Sequence, residues 1–402
     1  MKKLLAFVLV LSLVLSLCAC SSDSGSNEGS SSGQGGSSNN YKVAMITDYG
    51  DITDQSFNQT TYEACKAFCD KYNVPFTYKK PSGDSTAERI ASAEGAIDEG
   101  YNILVMPGFS FGGTIVEISE KYPDIKIIGL DLSAGDILEA GVPKKGGTYD
   151  YNPANWNVKD YYHSDNVYLA VYQEQLCGYM AGYAAVKLGY TKLGYLGGMA
   201  VPGPMRFGYG YVQGADAAAK EMGITVDLKY AYGNTFSGDA EITAAMDTWY
   251  GSGTEIVFAC GGGIFTSVGE AAAKKNAKVI GVDVDQKPII DGMYGAGMTV
   301  TSALKGLYPS TYNALDDIIN KGKWDSDYKG QIKSLGLISG DDPDANYVSI
   351  PMDSTQFSDK FTKEDFKKIV KDMYDGKIVV SDDLSKEPST TNCKVEWLGN
   401  IK

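Results

Sequence analysis

The sequence predicts an α/β protein made of two parallel-sheet halves, on three observations. From residue 41 onward, short apolar runs of strand length alternate with longer amphipathic stretches, the pattern of βαβ units. The alternation pauses near residue 172 and then starts again, giving two halves of similar size. Polar and glycine-rich residues gather just beyond the apolar runs, where open α/β sheets bind their ligands. A length of 402 residues accommodates two to three domains.

The first forty residues read as an address. Lys2 and Lys3 precede an apolar run, Leu4 to Leu17, which has the length of a signal-peptide core and is short for a membrane span. The run ends in Leu17-Cys18-Ala19-Cys20, which resembles the bacterial lipobox; the resemblance implies a signal peptide over 1–19 and lipidation of Cys20. Residues 20–40 are rich in Ser, Gly and Asn and read as a flexible tether with a reach of about 25 Å. Two or more acyl chains would hold such a protein stably at a membrane. The expected location is therefore the extracytoplasmic face of a bacterial cell membrane, and the long tether suggests a Gram-positive surface.

Lys42 to Thr47 reads as a buried strand, followed by a turn-rich stretch and a helix from Phe57 to Tyr72. Pro75–Tyr78, Tyr101–Met106, Asp124–Leu130 and Asn166–Val171 read as further strands, with helices over Thr86–Glu99 and about Gly113–Lys121. The second half opens with a helix over Glu174–Leu188 that carries Gly and Ala at close spacing. Strands follow at Leu193–Leu196, Thr225–Ala231, Glu255–Ala259 and Lys278–Val282, with a helix over Arg206–Met222. Neither half carries a P-loop or a strand-linked GxGxxG, so nothing supports a nucleotide phosphate site or a bound cofactor.

Composition narrows the function. With 36 Lys+Arg against 50 Asp+Glu, the net charge of −14 is a poor match for a phosphate backbone, so nucleic-acid binding is not expected. A single histidine, His163, argues against His-based metal sites and His-dependent nucleophilic catalysis. Beyond Cys18 and Cys20 the cysteines are Cys65, Cys69, Cys177, Cys260 and Cys393, an odd number; Cys65 and Cys69 read as small residues on one helix face.

The strand ends carry a consistent set of groups. Asp48 and then Asp54 to Gln59 follow the first strand, Gly108-Phe109 the third, and Asp131 the fourth. In the second half come Gly197-Gly198-Met199, Cys260 to Phe265, Asp283 to Gln286, and later Thr301 to Lys305. Carboxylates accept from hydroxyls, Asn and Lys donate, rings stack on flat faces, and glycines admit close approach. The mixture suits a polyhydroxylated ligand with a flat ring. Plainer readings stand beside this one. Asp54 or Ser56 can cap the first helix, Phe57 can be a core anchor, Asp283 and Asp285 can form a turn, and the glycine triplet can be a tight turn.

Four blocks resemble the basic membrane protein family of substrate-binding lipoproteins, the nucleoside-binding components of bacterial ABC importers. They are Asp48-Tyr49-Gly50 through Asp54–Gln59, Gly178 to Ala185, the stretch Gly197-Gly198-Met199 with Pro202, Phe207, Gly210-Tyr211 and Gly214, and Ile280–Gln286 with Thr301–Lys305. The resemblance runs from residue 43 to about 305 and more weakly onward. It implies a fold similar to type I periplasmic binding proteins, with two lobes joined by three chain crossings that close on ligand like a hinge. Lobe one would comprise 41–172 plus 298–340, and lobe two 173–297 plus 341–402. Carried over by motif, Phe57 is one stacking ring, Asn58 a base contact, Asp48 and Asp131 ligand contacts from lobe one, Asp283 the ribose carboxylate and Lys305 a polar partner. Gly262 lies in the glycine-rich turn of the site, and Phe265 is the candidate for the second ring.

Three departures bear on the ligand: Ala200 stands where the family usually has an acid, the glycine-rich turn reads Cys260-Gly261-Gly262-Gly263-Ile264, and the Tyr/Asn-rich segment 141–165, with Trp156, is longer than usual. The expected function is thus a non-enzymatic, monomeric receptor that takes a nucleoside, a purine nucleoside first, and delivers it to an ABC permease. A sugar or other small polar ligand is the alternative, and a sensor for a signalling partner another. A carboxylate-dependent nucleoside hydrolase, or a Ca²⁺ site at Asp48, Asp51 and Asp54, is the last.

Overall fold

The structure, a computed structural model, describes residues 40–402 apart from Tyr49. The signal peptide, Cys20 and almost all of the tether expected from the sequence lie outside the described residues.

The first five strands, β1 (Val43–Ile46), β2 (Phe76–Lys79), β3 (Ile103–Pro107), β4 (Lys126–Leu130) and β5 (Val167–Tyr172), are separated by α1 (Phe57–Tyr72), α2 (Thr86–Asp98), α3 (Gly112–Lys121) and α4 (Ala134–Lys144). After α5 (Glu174–Lys187) the alternation resumes as β6 (Lys192–Gly197), α6 (Pro202–Met222), β7 (Val226–Tyr232), α7 (Ala240–Gly251) and β8 (Ile256–Cys260). It continues with α8 (Phe265–Ala273), β9 (Lys278–Asp283), α9 (Lys287–Tyr294) and β10 (Thr299–Lys305). The chain ends with α10 (Leu307–Ile319), β11 (Ile332–Leu335), β12 (Val348–Ser349), α11 (Lys363–Tyr374) and β13 (Cys393–Asn400).

The strands form two sheets, in the orders β11-β5-β4-β3-β1-β2 and β12-β10-β9-β8-β6-β7-β13. Every pairing is parallel except that of β10 with β12. The near-continuous apolar runs follow from burial on both faces. In β1, Val43 and Met45 pack with Cys65 and Phe68 of α1, while Ala44 and Ile46 join a separate cluster with Phe111 and Ile115. In β8, Ile256 and Phe258 face one core, and Val257 and Ala259 the other.

Chain crossings between the sheets follow β5, β10 and β11. They lie side by side: Gln173 N donates to Leu335 O at 2.9 Å, Gly306 N to Tyr347 O at 2.6 Å, and Tyr347 N to Gly336 O at 3.1 Å. This is the three-crossing hinge. The second crossing falls later than the boundary drawn at residue 298, because β10 pairs in parallel with β9 and so belongs to the second sheet. Only from α10, which packs Leu315 and Ile318 against Phe68 of α1, does the chain return to the first.

The block Gly178 to Ala185 has a packing explanation. A Cβ on Gly178 or Gly182 would run into the carbonyls of Phe207 and Tyr211, and one on Gly210 or Gly214 into those of Gln175 and Tyr179. Helices α5 and α6 therefore touch backbone to backbone. The helix α4 was not expected from the sequence. It starts on a capping box between Ser133 and Asp136, and Gly141 and Pro143 obscure its apolar period. The Tyr/Asn-rich segment covers its side, where Trp156 and Tyr161 pack against Leu138, Val142 and Tyr149. All five described cysteines are buried thiols.

Candidate functional site

A cavity of about 470 Å³ opens at the carboxyl ends of strands from both sheets. Of the eight ligand residues expected from the sequence, the structure brings seven into its lining: Asp48, Phe57, Asn58, Asp131, Gly262, Asp283 and Lys305.

On the first-lobe side, Asp48 follows β1 and accepts from Gly50 N at 2.7 Å. Gly108, at φ 118°, lies against it; a Cβ there would come within 2.9 Å of the Asp48 carboxylate. Asp54 does what its plainer reading held. Its two oxygens accept from the backbone amides of Ser56, Asn58 and Gln59 at 2.9–3.1 Å and so cap α1. That cap fixes Phe57 and Asn58, the first two residues of α1, in the cavity wall. Asn58 gives an amide proton to Asp54, and its Oδ1 is buried with no hydrogen-bond partner among the described residues.

Asp131 and Asp283 both hold left-handed backbones, at φ 57° and 65°. Asp is among the few non-glycine residues that tolerate this conformation, and such positions cluster at functional sites. Burial pushes the Asp283 carboxyl up to about 6, against the pull of Lys305 and of a hydrogen bond from Ser56. At Asp131 burial also opposes ionisation, but Lys305 and Arg206 together outweigh it and hold the carboxyl below its ordinary value.

Several bonds cross between the lobes. Ser56 Oγ donates to Asp283 Oδ2 at 2.6 Å, and Gln286 Nε2 to the Gln55 carbonyl at 3.2 Å. Lys305 Nζ donates to Asp131 Oδ2 at 2.9 Å and lies 5.3 Å from the centre of the Phe57 ring. Lys305 also pairs with Glu174 Oε1 at 2.9 Å, and Arg206 Nε pairs with Glu174 Oε2 at 2.5 Å. Glu174 and Arg206 were missed because each looks ordinary in sequence, an acid in the first turn of α5 and a basic residue at the start of a helix.

Phe265 is a correction. It starts α8, is 2% exposed, and packs with Leu196, Ala259 and Val268 in the second-lobe core, outside the cavity lining. The second lobe instead presents Phe236, with Phe207. Phe236 sits in the loop after β7, and Gly198, Gly261 and Gly262 make room for it. Gly262 has φ 48°, and the next residue, Gly263, donates its amide to Phe236 O at 2.8 Å. The strand-end rule applied to β7 would have found Phe236, which lies four residues beyond it. The Ca²⁺ alternative at Asp48, Asp51 and Asp54 meets other engagements: Asp51 pairs with Lys80 at 2.9 Å, and Asp54 is the helix cap.

The arrangement presents aromatic rings from both lobes, several carboxylate acceptors and one orphan amide oxygen. It is built to bind. Residues 41–380 match the family described as ABC transporter substrate-binding protein PnrA-like. The chain belongs to this family. It is accordingly a solute-binding protein of an ABC transporter rather than an enzyme, with a solute as ligand and the transporter as partner. The chain is 28% identical over 354 residues to the ABC transporter nucleoside-binding protein BmpA of Lactococcus lactis, covering 84% of this chain and 88% of that one. It is 24% identical to basic membrane protein B of Borreliella burgdorferi, over 76% of this chain and 80% of that one. Other relatives are lipoproteins, including one from Pyrococcus abyssi at 26% identity over 74% of this chain and 67% of that one.

Among solved structures, a solute-binding protein of an Aeropyrum pernix K1 ABC transporter superposes with a TM-score of 0.61 at 21% identity, covering 84% of this chain and 87% of that one. The lac repressor dimer superposes with a TM-score of 0.50 at 9% identity, over 80% and 96%. These likenesses establish the type I periplasmic binding protein-like fold. Among the described residues no helix is long and apolar enough to cross a membrane.

Proposed function

We propose that this solute-binding protein takes up a nucleoside, a purine nucleoside first, and hands it to its permease from a lipid anchor on Cys20. The observation that carries the reading is the meeting of aromatic rings from opposite lobes with a surplus of carboxylate acceptors in one cavity. Phe57 and Phe236 are the stacking rings for the base. Asn58 Oδ1 accepts from a ring or exocyclic N–H, and Asp283 accepts from ribose hydroxyls. Asp48 and Asp131 contact the ligand from lobe one, Lys305 from lobe two, and the backbone at Gly262 admits close approach. Stacking is worth about 1–3 kcal/mol per base in nucleic-acid systems, so two rings supply a good part of the roughly 8 kcal/mol that micromolar binding requires. The relationship to the nucleoside-binding protein of Lactococcus lactis supports the same ligand class. The lobes, with the second crossing after Lys305, close on the ligand as two bodies.

A thermal-shift panel on protein stripped of bound ligand by unfolding and refolding tests this, with inosine, guanosine, adenosine, uridine, ribose and galactose. Ligand at 100 times Kd adds about 2.7 kcal/mol of stability, a rise of a few degrees in Tm for a protein of this size. A rise with purine nucleosides and none with the sugars is expected. A rise with galactose or ribose alone would move the ligand to the sugars.

A further inference from the structure

We propose that Glu174 sets the charge of the ligand, barring phosphorylated and carboxylated solutes from the cavity without touching the ligand itself. This deepens the nucleoside reading and rests on it only for the scaffold of the test ligand.

The cavity wall contains three cations, Lys80, Arg206 and Lys305. Two of them stand where an anion site would be expected. Arg206 is the fifth residue of α6, a helix of 21 residues whose start at Pro202 and Gly203 also lines the cavity. Pro202 and Pro204 carry no N–H, so the start of α6 offers the Gly203 amide together with the positive end of a long helix dipole, and an arginine nearby suits a phosphate. Lys305 reaches the same region, since both cations approach Asp131, at 2.9 Å from Lys305 and 3.8 Å from Arg206.

Glu174 takes that site out of use. It is fully buried, lies outside the cavity lining, accepts from Arg206 Nε through Oε2, and forms an ion pair with Lys305 through Oε1. Asp131 completes a quartet of two cations and two carboxylates, and Lys80 is matched by Asp51 at 2.9 Å. Each cavity cation therefore has a carboxylate partner, while Asp48, Asp54, Asp136 and Asp283 add further acidic groups to the wall. An incoming anion meets paired cations and surplus carboxylates in a site of low effective dielectric, where like charge is costly. Neutral, donor-rich solutes are favoured, and the buried carboxylate behind the wall is what makes the difference.

The test is calorimetric titration of the refolded protein with adenosine and with its 5′-monophosphate, for wild type, E174Q, E174D and R206Q, with melting curves to establish folding. Wild type should prefer the nucleoside by at least about 100-fold. E174Q leaves the quartet one positive charge in excess, so the preference should fall at least tenfold, through tighter binding of the monophosphate. E174D retains the charge and should keep the preference within about threefold. E174Q that melts cooperatively but loses both ligands in equal proportion would overturn the proposal, as would wild type that binds both equally. Should E174Q fail to fold, R206Q decides: removing a cation should widen the preference, and an unchanged ratio overturns the idea. If wild type binds no nucleoside, the nucleoside reading fails separately. The same variants titrated with inorganic phosphate then decide the role of Glu174: uptake gained in E174Q supports it, and none refutes it.

Discussion

Asp283 ends β9 with a left-handed backbone, buried, and faces Lys305, Ser56, Asp131 and Asp54. Its pKa of about 6 lies above the ordinary 3.8, so folding without ligand favours its protonated form. That contribution is full below about pH 4 and is lost as pH rises through about 6. A ligand that donates hydroxyl protons needs the carboxylate, so binding has the opposite dependence. Nucleoside affinity should be level above pH 7 and fall about fivefold between pH 6 and 5. Asp136, also pushed up to about 6 by burial, titrates in the same window, and D283N separates the two. That variant should bind weakly at every pH and lose most of the slope; an undiminished slope would assign it to Asp136. The rings give a second residue-scale prediction. F236A should lose at least tenfold in affinity and melt nearly as wild type. F265A should cost about 3–5 kcal/mol of stability, since its ring is core. Seven of the eight residues expected at the site line the cavity, because strand ends are where α/β sheets place their sites. Phe265 misled because a ring just after a glycine turn looks the same in sequence whether it faces cavity or core. Glu174 left no trace, since its significance lies in partners 32 and 131 residues away.

At the scale of elements, the strands and helices of the βαβ alternation were readable from period and length alone, often to within two residues. α4 was not, because Gly and Pro interrupt its period and its apolar face is shared with an aromatic-rich loop. The lobe to which β10 belongs was misjudged because sheet membership depends on pairing with β9, which no local pattern encodes. The glycines of α5 and α6 were visible as close spacing, but their purpose appears only where the two helices cross. Helix α6 carries Arg206 and Phe207 to the cavity, so this crossing positions the site. G182A should force the helices apart and cost about 1–3 kcal/mol or more, read as a fall in Tm, with affinity for ligand lowered as well. A variant that melts and binds as wild type would show that the helices separate freely.

For the whole molecule, two sheets and three adjacent crossings put one cavity where both lobes contribute groups. The bonds from Ser56 to Asp283, from Gln286 to Gln55 and from Lys305 to Asp131 cross between the lobes and tie them together. The fold and the family were legible in the spaced motifs, because strand-end residues repeat wherever this architecture recurs. The ligand was less so, since a few placed polar groups decide it. The most direct measurement is isothermal titration of refolded, ligand-free protein with inosine, and with ribose and hypoxanthine separately. Micromolar or tighter binding of the intact nucleoside is expected, with binding of each half at least about 100-fold weaker, because the rings and the carboxylates must both be engaged. Binding of ribose as tight as that of inosine, or no heat with any nucleoside in protein shown to be refolded, would contradict it.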